Sequence, residues 1–121
     1  MDIFWEYYRG IEKGTKVTFE EFSSNKQLKK EVTDAIKGLY TLILQEVQKK
    51  LNLAKIESSD FIWDLARLKA IKPELIQEYL DIIDVVSKID KVDDLTLYTM
   101  LVRIMEDLEE LYFSIIKFKT D

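Results

Sequence analysis

Neither histidine nor cysteine occurs among the 121 residues. Imidazole general-base catalysis, thiolate nucleophiles and thiolate metal sites are therefore excluded, which leaves carboxylate, lysine, serine and tyrosine chemistry. The best-spaced carboxylates are Asp81 and Asp84, one helical turn apart, followed by Asp90, Asp93 and Asp94. Acids at this spacing can hold a hard cation, but the segment lacks the glycine and closing glutamate of a calcium loop. The expectation is no metal and no cofactor, with these acids on solvated helix faces and at helix caps. There is no glycine-rich phosphate loop and no Gly-x-Ser-x-Gly turn. Phe4, Trp5, Tyr7 and Tyr8 make an aromatic group beside a single arginine, Arg9. A base-stacking platform needs more positive charge than that, so packing on the fold or on a partner is the better reading. An enzyme working through carboxylates would require a pocket holding two or more buried acids.

The elements that must position these residues are helices. With three glycines and one proline, the chain lacks the turn residues that hairpins and barrels consume. Ile3, Phe4, Tyr7, Tyr8 and Ile11 predict a helix over 3–13, weakened and ended by Gly10 and Gly14. Thr18 to Glu21 fits a capping box and predicts a helical turn at 19–22. A long helix over 25–51 follows, with Leu28, Val32, Ala35, Ile36, Leu39, Leu42 and Ile43 on one stripe that fades at Glu46 and Lys50. Ser58 or Ser59 caps a short helix over 60–69, and Pro73 opens another over 73–89. Asp93 or Asp94 caps the last, over 94–118. These elements predict one all-α domain over 1–121, an up-and-down bundle whose two long helices are expected to be antiparallel.

The apolar residues of 94–118 spread over about 200° of the helix circumference, beyond the roughly 100° that facing one core requires. Two readings stay open: a central helix covered on both flanks, or a flank packed against a second subunit. The second makes Leu97, Ile104, Leu111 and Phe118, with Phe4, Trp5 and Tyr8, a candidate interface.

Net charge is −5, with lysine far commoner than arginine. An acidic chain lacks the general attraction to phosphate on which nucleic-acid binders rely, and the cluster Lys26, Lys29, Lys30 reads as a solvated helix start. No apolar run approaches the ~20 residues of a membrane span. The first residues do not read as a signal peptide, and the absence of cysteine argues against a secreted disulfide scaffold, so a cytoplasmic location is expected.

The order of several segments carries a family resemblance. Thr18-Phe19-Glu20-Glu21-Phe22 precedes the long helix with its Ala35-Ile36; Ile62-Trp63-Asp64-Leu65 leads to Ala70-Ile71-Lys72-Pro73-Glu74-Leu75. Val92-Asp93 then precedes Tyr98, and Met105-Glu106-Asp107-Leu108-Glu109 lies in the last helix. From about Tyr7 to Ile116 this order resembles the HepT group of HEPN-domain proteins, helical partners of minimal nucleotidyltransferases in toxin–antitoxin pairs. The resemblance implies a four-helix core with extra short helices, a homodimer, and a nucleotidyltransferase-like partner. The family's RNase signature is Arg-Asn, three residues, His, one residue, Tyr. Aligned on Asp93 and Tyr98, it falls on Ile82, Ile83, Ser87 and Ile89, with Val85-Val86 matching the aliphatic pair inside it. The resemblance therefore implies the scaffold without its chemistry: a degenerate, non-enzymatic binding module. The alternative is a small helical subunit of a nucleic-acid-associated, RNA-guided complex, which a basic stripe on the folded surface would favour.

Overall fold

The computed structural model describes residues 2–119. Its helices are α1 (Ile3–Thr15), α2 (Phe19–Ser24), α3 (Lys26–Leu51), α4 (Phe61–Arg67), α5 (Ile76–Ser87) and α6 (Asp94–Lys117), with 3₁₀ turns at Pro73–Leu75 and Ile89–Lys91. The described residues contain no strand, so the all-α bundle expected from the sequence is what forms.

Local chemistry sets the boundaries. Asp2, Thr18, Asn25 and Asp93 each accept a hydrogen bond from a backbone N–H in the first turn of the helix they precede. Asp60, not Ser58 or Ser59, precedes α4 and makes no such bond; Ser58 instead accepts from the Asp60 N–H. α3 ends at Asn52 in the left-handed region (φ 55°), where the Leu53 N–H reaches the Gln48 carbonyl at 3.0 Å. α4 closes in the same way on Lys69 (φ 65°), a residue with a side chain where glycine is at home. The helix expected over 73–89 is divided. Pro73 opens a 3₁₀ turn, α5 proper ends at Ser87, and Ile89 begins a second tight turn.

α1 runs through both glycines and not up to them. A Cβ on Gly10 would lie 2.7 Å from the Ala35 Cβ, one on Gly14 would lie 2.8 Å from Leu101 Cδ1, and one on Gly38 would enter the Tyr7 ring. These glycines are contact points at which α1 is pressed onto α3 and α6, and not helix breakers.

The same contacts give direction. Gly14 sits by Val32 and Gly10 by Ala35, so α1 is antiparallel to α3. Phe4 stacks on Tyr112 at 4.6 Å while Gly14 meets Leu101, so α1 is antiparallel to α6 as well. Lys29 pairs with Asp94 at the start of both long helices, and Lys50 donates to the Phe118 carbonyl at their ends. α3 and α6 are therefore parallel, which corrects the antiparallel expectation. α5 returns against both, with Lys37 on Asp90 and Tyr79 on Glu110. The chain order α1, α3, α5, α6 alternates in direction, and in such a bundle the second and fourth helices must run the same way.

The core is apolar throughout: among the described residues no polar or charged residue is buried. α6 contributes Leu97, Leu101, Ile104, Met105, Leu108, Leu111, Tyr112 and Ile115 to it. On α3 the buried line bends from Ile43 to Val47, so it passes Glu46 without fading.

Candidate functional site

The positions aligned with the RNase signature lie on and just beyond α5. Ile82, Ile83 and Ile89 are 1%, 3% and 4% exposed, packed in the core with Val86. Ser87 is exposed, and its hydroxyl donates to the Asp84 carbonyl at 3.1 Å, the i−3 bond of a helical serine. Lys88 pairs with Asp84 at 3.2 Å. Ser87 stands at the junction of two shallow concavities of about 500 and 340 Å³ that also share Tyr40. Tyr40 is half-buried, and burial pushes its phenol up. The carboxylates that line these concavities include Glu57, paired with Lys55, and Asp84, paired with Lys88. The serine has no base, the phenol is a weak acid, and Lys37 is held by Asp90 at 2.8 Å.

The carboxylates singled out by spacing are not brought together. Asp81 accepts from Gln77 at 2.8 Å and lies 3.6 Å from Arg103, whereas Asp84 takes Lys88. Asp90 takes Lys37, Asp93 caps α6, and Asp94 binds Lys29 and the Ser23 hydroxyl. Each has a structural occupation, and among the described residues no group of three carboxylates is placed to hold a metal ion.

A different polar cluster, which spacing did not reveal, joins α5 to α6. Arg103 forks onto Glu78, Nε to Oε2 at 2.6 Å and Nη2 to Oε1 at 2.9 Å. Asp107, one turn along α6, has its Oδ2 4.0 Å from Arg103 Nε, shielded from solvent and without a hydrogen-bond partner. Burial, then hydrogen bonding to Glu78 and the negative charge of Glu78, pushes the Asp107 carboxyl up to about 7. The hydrogen bond from Arg103 holds Glu78 down, to about 2. Arg103 thus favours the charge on Glu78, and burial beside that charge disfavours a second one on Asp107. Next to it, the Tyr79 hydroxyl donates to Glu110 at 2.6 Å. Only the Arg103–Asp107 spacing of i,i+4 was visible in sequence; Glu78 comes from another helix.

The candidate interface is largely interior. Phe4 and Ile104 are 0% exposed, Leu111 1% and Leu97 2%, all covered within the chain. This corrects their assignment to a face open to a partner: α1, α2, α3 and α5 all lie on α6. Phe118 is not in α6 but caps its end, half-buried, with its carbonyl taken by Lys50. Trp5 and Tyr8 remain partly exposed, with Phe113 of α6 beside them. Their rings sit 5.2 Å (Trp5–Tyr8) and 5.9 Å (Trp5–Phe113) apart, over the buried Phe4. The Tyr8 phenol is raised by burial, then by the charges of Glu109, Glu12 and Glu106. Of these, Glu106 and Glu109 also line a concavity with Phe113.

Of the lysines that line the concavity along the first half of α3, Lys26 makes no ion pair among the described residues and the others are each paired with an acid. Lys29 is 3.0 Å from Asp94, Lys30 2.7 Å from Asp34 and Lys37 2.8 Å from Asp90. No helix among the described residues is long and apolar enough to cross a membrane. Comparison with protein-family models, with curated proteins and with solved structures gives no match.

Proposed function

We propose that this chain is a catalytically degenerate HEPN/HepT-like helical protein that works by binding in the cytoplasm. It pairs with a second copy and engages a nucleotidyltransferase-like partner. One observation carries the reading. The positions aligned with the family's cleavage residues are spent on the core, at Ile82, Ile83 and Ile89, or on a local backbone bond, at Ser87. Cleaving an RNA phosphodiester requires a proton acceptor near the ribose hydroxyl and a cation near the developing phosphate charge. Neither stands at these positions. The exposed apolar residues left for contact between copies include Leu53 after α3, Trp63 and Leu68 at α4, and Leu95 at the start of α6.

The test is to incubate purified protein with single-stranded and structured RNA in the presence of a chelator, and to measure solution mass by light scattering. The expected result is intact RNA and the mass of two chains. Cleavage that disappears in Ser87→Ala or Lys88→Ala would overturn the degenerate reading. A one-chain mass at micromolar concentration would overturn the pairing.

A further inference from the structure

We propose that the face shared by α1 and α6 docks a basic amphipathic segment of another protein: apolar residues on Trp5, Tyr8 and Phe113, and lysine or arginine on Glu12, Glu106 and Glu109. It deepens the binding reading above and rests on it only in that the chain acts by binding, not on the family resemblance.

Three observations meet on this face. The first is aromatic surface with a rigid floor. Trp5, Tyr8 and Phe113 are partly buried, each with some ring surface at the solvent, while Phe4 and Tyr112 beneath them are buried and stacked at 4.6 Å. Aromatic side chains held this way offer area at little entropic cost, the profile of an interface anchor. The second is continuity along α6. Val102 is 49% exposed, and Glu106, Glu109, Glu110 and Phe113 follow it at one-turn steps. A concavity of about 590 Å³ runs beside Phe113 and these acids to Ser114 and Lys117.

The third is charge. Among the described residues Glu106, Glu109 and Glu110 make no ion pair, and Glu12 meets only Lys16, at 4.0 Å. Elsewhere Asp34, Asp84, Asp90 and Asp94 each have a lysine, and the acids without one, such as Glu20, Asp60 and Glu74, are scattered along the chain and not gathered on one helix. The nearby cations Arg9 and Lys117 make no ion pair with these acids. An apolar patch ringed by unneutralised carboxylates disfavours a second copy. A two-fold axis through it would set Glu106 and Glu109 against themselves, and like charges across an interface are costly. A cationic partner gains from the same field, and arginine can in addition lie over the Trp5 ring.

The experiment uses the full chain carrying Trp63→Phe, which leaves Trp5 as the sole tryptophan. The probe is a synthetic helical peptide of leucine and lysine patterned on one apolar face. Its controls are the same peptide with glutamate for lysine, and oligolysine without leucine. Binding is read from Trp5 fluorescence at two salt concentrations. The expected result is saturable binding of the leucine–lysine peptide alone, weakened about tenfold by Glu106→Gln/Glu109→Gln and by added salt. Both glutamates are surface residues without ion pairs, so the double variant keeps the fold, and circular dichroism checks this.

No binding, equal binding of the glutamate peptide or of oligolysine, or affinity unchanged in the double variant would each overturn the proposal. So would a dimer that dissociates in Phe113→Ser while Glu106→Gln/Glu109→Gln tightens it, since the occupant would then be a second copy. That last outcome leaves the binding function intact. RNA cleavage lost in Ser87→Ala would instead refute the function and leave this face untouched.

Discussion

Replacing Gly10 with alanine tests whether the glycines of α1 serve the α1–α3 contact or only mark a weak helix. At an exposed position inside a helix, glycine to alanine is favourable by about 0.8–1.0 kcal/mol, because alanine loses less backbone freedom. In this structure the added Cβ would lie 2.7 Å from the Ala35 Cβ. Both atoms are fixed directly to helix backbones, so no rotamer change relieves the overlap and the helices must separate. Overpacking of this kind costs about 1–3 kcal/mol. Set against the propensity gain, Gly10→Ala is expected to destabilise by up to about 2 kcal/mol, where an exposed site would gain about 1 kcal/mol.

The companion change is Ala35→Gly. Alone it removes a buried methyl, worth about 0.8 kcal/mol, and loses about 1 kcal/mol of helix propensity. In the double variant the methyl is moved from α3 to α1, the propensities cancel and the overlap is gone. Gly10→Ala/Ala35→Gly should therefore lie within about 0.5 kcal/mol of the wild type, a coupling of about 2–4 kcal/mol between the two sites. Urea unfolding followed by circular dichroism measures all four stabilities. A stabilised Gly10→Ala, or a double variant equal to the sum of the singles, would refute the close approach of α1 to α3.

Ile83→Ala should cost about 2–5 kcal/mol in the same assay, as a large-to-small change in a packed core, whereas Ser87→Ala should stay within about 0.5 kcal/mol of wild type. Lys69→Gly should stabilise by about 0.5–1 kcal/mol by relieving the left-handed residue that closes α4; destabilisation would mean that the Lys69 side chain is needed. Stability should fall as pH rises from about 4 to about 7, because folded Asp107 holds a proton that an unfolded aspartate has released, and Asp107→Asn should flatten that limb of a pH–urea profile. The opposite limb belongs to Glu78: its stabilising charge is present above its ordinary value of 4.5 and is lost as pH falls toward about 2, a loss that Glu78→Gln should remove.

Much of the fold could be read from residue order because helix signals are local. Thr18 and Asp93 are caps in sequence and caps in the structure, and Pro73 opens a helical turn where it was expected to. The misreadings share a cause. Gly10 and Gly14 look like helix breakers by propensity, but their missing side chains are explained only by Ala35 and Leu101, which come from other elements. The Arg103–Glu78 fork was illegible for the same reason: its halves lie 25 residues apart. Asp81 and Asp84 were prominent by spacing, yet helical neighbours at one-turn distance are as readily taken by separate cations as by one ion.

The breadth of the apolar arc on α6 could be read as a shortage of cover, and the structure resolves it otherwise. Arc width counts the neighbours a helix must satisfy, not the number of chains that supply them. α6 is the helix that α1, α2, α3 and α5 all touch, and as the fourth member of an alternating bundle it runs parallel to α3 across the core. Leu97, Ile104 and Leu111 point into that shared core and are consumed there. What distinguishes an interface residue on such a helix is not its apolar character but its place where the neighbours leave surface open, as at exposed Val102 and at Phe113 on the edge of α1, among Glu106, Glu109 and Glu110. There a glutamate is no interruption of an apolar stripe. It is part of the surface that a partner would meet, and its charge restricts which partner that can be.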